Sequence, residues 1–426
     1  MSSSSSVTLL LLIVLLFQSS SFGAQAKLPP FPAHDRGRVD IPIALRHGLY
    51  YTKVLLGSPP KEFFVQIDTG SDALWVSCKS CTGCSQTNNY YDESLSSTSS
   101  LISCSDRLCS RAATTCTSDR QTQCSYTLHH SSGTIAAGYY VSDVIHLNIN
   151  GTSEAPPSIL FGCSTSIAQP QGGLDGVLGF GRQSFSVINQ LDSLGVAAHV
   201  FSHCLDSVAG GGVLTIGYPQ EPEIVYTPLV RDVIKYEINL ESVSVNGHTL
   251  PINQSILRQG RTIVDSGTTF AYLARGAFLH LLDAITKVAP DYAQPTIRNG
   301  IQCYMSNYSI LGRFPGVSLN FADNASMHLR QQDYLVQQQS QGDTEVWCIG
   351  FRESTNQDTI LGDLVLKDKL IVYDLERQRI GWANHDCSPY INATTTAPSS
   401  GVTSEPEILL KLLALLFVSS FSLGIM

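Results

Sequence analysis

Apolar positions along this chain fall mainly into short runs of alternating or β-branched residues, punctuated by Gly, Pro and Asn. Residues 48–56, 236–245 and 370–374 are such runs, and Asn246-Gly247 after the second reads as a hairpin turn. Helical spacing is confined to two short stretches, 186–194 and 275–288. The pattern therefore predicts an all-β architecture with minor helix. With 426 residues, the chain is long enough for two domains with full cores.

Both ends depart from this pattern and stand outside any fold argument. Residues 7–17 form an apolar run too short to span a bilayer comfortably, and Phe22-Gly23-Ala24-Gln25-Ala26 offers an Ala-x-Ala cleavage site. A signal peptide over 1–26 is expected, although the positive n-region is missing and a signal-anchor helix is the rival. Residues 408–426 are apolar apart from Lys411, follow a polar spacer at 402–407, and are preceded by the small triplet Ser399-Ser400-Gly401. That order is the layout of a signal for a glycosylphosphatidylinositol (GPI) anchor over 401–426, with attachment at Ser399 or Ser400. A tail-anchored transmembrane helix is the alternative, but no basic stop follows the run. Residues 388–400 read as a short Ser/Thr stalk. The expected destination is the extracellular face of the plasma membrane, with the membrane as partner through a lipid anchor.

An oxidising compartment suits the twelve cysteines. Cys78, Cys81 and Cys84 would suggest zinc in a cytosolic protein, but disulfides are the better reading here. Sequons at Asn150, Asn253, Asn307, Asn324 and Asn392 fit a glycoprotein. The formal net charge of −9 argues against nucleic acid as the partner, since a phosphate-binding face needs Lys and Arg. Simple solubility explains the charge equally well.

One pattern occurs twice. Phe64-Val65-Gln66-Ile67 leads into Asp68-Thr69-Gly70-Ser71, and Arg261-Thr262-Ile263-Val264 leads into Asp265-Ser266-Gly267-Thr268. About a hundred residues after each, two apolar residues followed by Gly recur, in Val177-Leu178-Gly179 and Ile360-Leu361-Gly362. The chain thus reads as two related lobes, 48–224 and 225–387, each contributing one Asp. A strand that turns at Gly70 or Gly267 can present the preceding Asp where backbone amides bond its carboxylate. Two such carboxylates facing one another share one proton and titrate as a pair, which is what activating a water and protonating a carbonyl oxygen requires. The hydroxyls of Ser71 and Thr268 can bond the outer carboxylate oxygens, and those of Thr69 and Ser266 can cross-link the two loops. Either motif alone is an ordinary turn. The matched pair makes Asp68 and Asp265 the candidate catalytic residues.

These residues, together with Ala73-Leu74-Trp75-Val76, 174–181, Ile360-Leu361-Gly362-Asp363 and Val372-Tyr373-Asp374, resemble the pepsin-like (A1) aspartic proteases. The plant nepenthesin-type branch, with a cysteine-rich insert and a GPI-type tail, is the nearer match. The resemblance covers roughly 48–387. It implies a bilobal β fold with a cleft between lobes, and hydrolysis of internal peptide bonds by an activated water in a protein or peptide substrate. No acyl-enzyme, metal or cofactor is implied, and a monomer is expected. It also implies that Cys78 to Cys124 brace a loop beside the cleft, that Cys303 pairs with Cys348, and that Trp75 lines the cleft.

Two departures stand out. The flap residue, Tyr in the family, falls on His130, followed by Ser131-Ser132-Gly133-Thr134. A His there would be charged below a reference pKa of about 6.5 and would favour the ionised pair, giving a weakened or pH-shifted enzyme. Tyr126 is the bland alternative. Only 27–47 remains for a short pro-segment or N-terminal arm. The rival function is a non-catalytic binding protein or glycosidase inhibitor on the same fold. A structural cell-surface glycoprotein is a third reading, for which the stalk is short.

Overall fold

The structure is a computed structural model that describes residues 38–84, 89–109, 116, 123–130, 133–147, 155–168, 172–208, 210–220, 223–341 and 344–388. Both apolar termini, the stalk after Ser388, Asn150, Asn392, Ser399 and Ser400 lie outside the described residues, as do Ser131 and Ser132 of the flap. Among the described residues no helix is long and apolar enough to cross a membrane.

Alternating patterning produced strands, as expected of half-buried sheet positions. The runs at 48–56, 236–245 and 370–374 appear as Leu49–Leu56, as Glu237–Ile238 with Leu240–Val245, and as Lys369–Asp374. Asn246-Gly247 turns a hairpin in which Val245 pairs with His248, and both turn residues take the positive φ that such a turn needs. The two helical stretches are Val187–Ser193 and Arg275–Lys287.

The fold is mostly strand and two-lobed. A 14-stranded sheet carries the first lobe and continues into the C-terminal strands, Val200–Leu205 pairing antiparallel with Lys369–Asp374. The second lobe adds a five-stranded sheet and two four-stranded ones. Most of the core is one continuous apolar cluster running from Val39 to Trp382, which joins the lobes into a rigid support for the loops between them.

Residues Val39–Arg46 form a strand of the large sheet, paired on one side with Gly211–Ile216 and on the other with Leu49–Leu56. The C-terminal part of the stretch expected to serve as a pro-segment or arm is thus built into the first lobe. Val39 and Ile43 are buried in its core.

All described cysteines are paired. Cys303–Cys348 joins neighbouring antiparallel strands in register, as the resemblance implied. Within the insert Cys81 pairs with Cys84, Cys104 with Cys116, and Cys109 with Cys124. Cys78 is the exception. Its partner is Cys163 on the parallel neighbour strand, so the bond fastens the root of the insert to the sheet and does not brace the loop itself. Asn253, Asn307 and Asn324 are exposed, as sequons must be to accept glycans.

Candidate active site

The duplicated motif folds into a duplicated device. Strand Lys61–Asp68 runs parallel to Gly176–Gly179, with Asp68 opposite Gly179, and Trp75–Thr82 pairs antiparallel to the same strand. In the second lobe Thr262–Val264 runs parallel to Thr359–Leu361, and Ala271–Leu273 pairs antiparallel with it. Each downstream Gly echo therefore lies where its lobe's Asp loop crosses. A Cβ on Gly179 would overlap the backbone of Asp72, and one on Gly362 the carbonyls of Thr268 and Phe270. Glycine is required at both crossings by close backbone approach.

The two Asp loops are alike in their bonds. The Gly70 amide donates to Asp68 Oδ1 at 2.8 Å and the Ser71 hydroxyl to Asp68 Oδ2 at 2.6 Å. Correspondingly, the Gly267 amide donates to Asp265 Oδ1 at 2.8 Å and the Thr268 hydroxyl to Asp265 Oδ2 at 2.8 Å. A Cβ on Gly70 would collide with the Asp265 carboxylate, and one on Gly267 with that of Asp68. Each carboxylate thus packs on the other loop's glycine, which brings the pair face to face.

Thr69 and Ser266 lock the loops together beneath the pair. The Ser266 amide donates to Thr69 Oγ1 at 2.9 Å, and the Thr69 amide to Ser266 Oγ at 3.2 Å. Both residues are buried. Each hydroxyl also reaches a carbonyl of the opposite strand, Val264 for Thr69 and Ile67 for Ser266, at 3.5 and 3.4 Å.

Asp265 keeps an opening to the cleft, yet the surrounding protein and then the charge of Asp68 push its pKa up to about 6, against the bonds from Thr268 and Gly267. It therefore holds a proton in mildly acidic solution while the pair retains one negative charge, the state that general acid–base chemistry on a carbonyl requires. Below it, buried Asp363 is pushed well above the carboxylate range by desolvation and then by the charges of Asp265 and Asp68.

The flap is the hairpin of Ser125–His129 and Ile135–Val144. His130 begins its turn, with the His130 amide on the Thr134 carbonyl, and its ring reaches the pair: Nδ1 lies 3.8 Å from Asp68 Oδ2. Trp75, buried, stands 6.0 Å from that ring between centroids. Tyr126 points away into the first lobe's core, bonded to Ser164 Oγ at 2.6 Å. The expectation that His130 becomes charged near its ordinary pKa is corrected. Burial, and then the charge of Lys235, hold it below that value, and Asp265 only partly opposes them. Its proton is therefore held less firmly than that of an ordinary imidazole.

Sequence reasoning passed over Lys235 and Asp363. Lys235 donates from its ammonium to the Gly70 carbonyl, across 165 positions of chain. Only the Ile-Leu-Gly-Asp run pointed to Asp363, and nothing in the sequence marked Lys235.

Comparison with known proteins decides the family. Models described as xylanase inhibitor N-terminal and xylanase inhibitor C-terminal match residues 50–218 and 235–384. Aspartic proteinase 39 of Arabidopsis thaliana is 34% identical over 434 residues, covering 92% of this chain and 90% of that protein. The chain belongs to the plant pepsin-like aspartic proteinase family. Aspartic proteinase 36 of the same plant, also 34% identical, covers 87% of the chain and 83% of its own length. Among solved structures, basic 7S globulin from soybean superimposes with a TM-score of 0.68 at 21% identity, covering 84% of this chain and all of that one. Conglutin gamma from lupine seeds gives 0.67 at 23% identity, covering 83% and 97%. At those identities the likeness speaks for the fold. In this family setting the paired Asp loops are complete.

Proposed function

We propose that the chain is an aspartic endopeptidase that hydrolyses internal peptide bonds with a water activated between Asp68 and Asp265. One observation carries the reading. Two carboxylates, each clamped by a glycine amide and a hydroxyl, face each other, and burial leaves Asp265 as proton carrier up to about pH 6. The ionised member takes a proton from the water as it attacks the carbonyl carbon. The protonated member gives its proton to the carbonyl oxygen, and the resulting diol collapses with proton transfer to the leaving amine. Aspartic proteinase names among the relatives support a protein or peptide substrate. A non-catalytic binding role is the alternative, suggested by the inhibitor names of the family models. Intact Asp, Gly and hydroxyl positions in both loops favour catalysis.

The deciding measurement is cleavage of a denatured protein by the purified protein between pH 3 and 7. Activity should fall as pH rises through about 6, because Asp265 then loses its proton. Asp68→Asn and Asp265→Asn should each abolish it, and pepstatin should block it. Equal rates in wild type and variants at every pH would leave the binding role.

The same reading puts the enzyme on the outer face of the plasma membrane, held by a lipid at Ser399 or Ser400. The support is the order of small triplet, polar spacer and apolar end in 399–426. Phosphatidylinositol-specific phospholipase should release it from membranes into the supernatant, whereas a transmembrane tail would keep it in the pellet.

A further inference from the structure

Lys235 sits in the bend before strand Glu237–Ile238, where the chain enters the second lobe. Its backbone is fixed: the Lys235 carbonyl accepts from Arg182 Nη1 at 3.3 Å and from the Glu237 amide at 3.0 Å. The half-buried side chain then reaches the first lobe's Asp loop and donates to the Gly70 carbonyl. Gly70 is the residue whose amide holds Asp68 Oδ1 and whose missing side chain makes room for the Asp265 carboxylate. One ammonium therefore touches one of the two glycines that both carboxylates share.

We propose that Lys235 is a positioning residue of the catalytic pair, clamping the Gly70 loop from the second lobe and supplying the positive charge that offsets the pair's negative charge. Several groups respond to that charge. It opposes the upward push that burial exerts on Asp265 and on Asp72, and adds to the downward push on His130. The other ionisable groups around it are accounted for. Asp68 and Asp265 approach from the two loops, Asp72 from beyond Gly70, His130 from the flap and Asp363 from the helix beneath the pair. Tyr236, next in the chain, donates its hydroxyl to the Phe180 carbonyl, and Glu237 after it lies 3.9 Å from Arg261. Arg182, a second cation, is committed to the carbonyls of Val230 and Lys235 and to Gln378 Oε1 at 2.9 Å. Lys235 is thus the cation whose head group reaches the catalytic loop.

A nearby cation favours ionised carboxylates, so its loss makes both protons of the pair harder to remove. The whole bell of kcat/KM against pH should then move to higher pH, without simply shrinking. Lys235 can act on catalysis only if the pair is catalytic, so the test carries a readout independent of hydrolysis.

Full-length wild type, Lys235→Met and Lys235→Arg are compared in two ways: kcat/KM on one peptide from pH 2.5 to 7.5, and the titration of the Asp carboxyl carbons by ¹³C NMR. In Lys235→Met, both limbs and the Asp265 midpoint should rise by about half a pH unit or more, and Lys235→Arg should restore them. Lys235→Gln, which keeps a donor for the Gly70 carbonyl but not the charge, takes the place of Lys235→Met if that variant fails to fold. Midpoints unmoved in the neutral variant would overturn the proposal, even if the rate fell. A moved midpoint in a protein that cleaves nothing would uphold the role of Lys235 and refute the endopeptidase reading.

Discussion

At the scale of single residues, the flap asks most of one side chain. His130 Nε2 and Trp75 Nε1 are both buried and without a hydrogen-bond partner among the described residues, although their rings stand only 6.0 Å apart. A buried polar group left unpaired costs about 1–3 kcal/mol, so the cover over Asp68 is poorly satisfied as it stands. Tyr at position 130 would remove the unpaired imidazole nitrogen, add apolar area over the pair, and bring a hydroxyl able to accept from the Trp75 N–H. His130→Tyr should therefore raise kcat/KM by roughly tenfold, which corresponds to about 1.4 kcal/mol at the transition state. The gain should be clearest above the ordinary imidazole pKa of about 6.5, because burial and Lys235 hold His130 below that value and no ring charge is lost there. An equal or lower kcat/KM would mean that the ring at 130 does not serve as the lid over the pair.

Among the elements, what could be read in advance follows from how local each signal is. The two Asp loops were legible because each is a strand, a turn and a hydroxyl within four residues, and because the motif appears twice. Their downstream glycines were legible as an echo, but the reason for them was not: Gly179 and Gly362 exist because the Asp loops cross directly over their backbones. Val39–Arg46 was passed over as a strand although Val39, Ile41, Ile43 and Leu45 alternate with other residues at the period of a pleat. Pro42 within it and the polar residues just before it weaken that signal. Two further features depend on pairings that sequence separation hides. Cys78 meets Cys163 only because strands Trp75–Thr82 and Ser158–Ala168 run parallel, with Val76 opposite Cys163. Lys235 meets Gly70 only because two lobes close on each other, and a lone Lys beside a strand looks like any solvated charge.

For the whole molecule, the contact between the Asp68 and Asp265 loops depends on two lobes holding a fixed separation, and the sheet that spans them is where this is enforced. Val200–Leu205 from the first half lies between Gly211–Ile216 and the C-terminal strand Lys369–Asp374, and Tyr373 sends its hydroxyl to Thr69 Oγ1 at 3.5 Å beneath the pair. Cys204 on the first of these strands is bonded to Cys387, 183 positions away, just after the last strand of the same sheet. Cys81–Cys84, by contrast, closes a loop of three positions. In the chain-entropy description a cross-link stabilises by restricting the unfolded chain, and the effect grows with the logarithm of the loop. Removing the long link as Cys204→Ser with Cys387→Ser should therefore cost roughly 3 kcal/mol more than removing the short one as Cys81→Ser with Cys84→Ser. Thermal unfolding of the three proteins under non-oxidising, non-reducing conditions reads this directly as a much larger drop in Tm for the long link. The catalytic consequence separates two roles for the bond. If it also sets the lobe spacing, the folded 204/387 variant should lose kcat at temperatures well below its Tm, because a small displacement between the Asp loops breaks the Thr69–Ser266 exchange. If kcat is unchanged there, the sheet pairing alone holds the lobes, and the disulfide acts only on the unfolded chain.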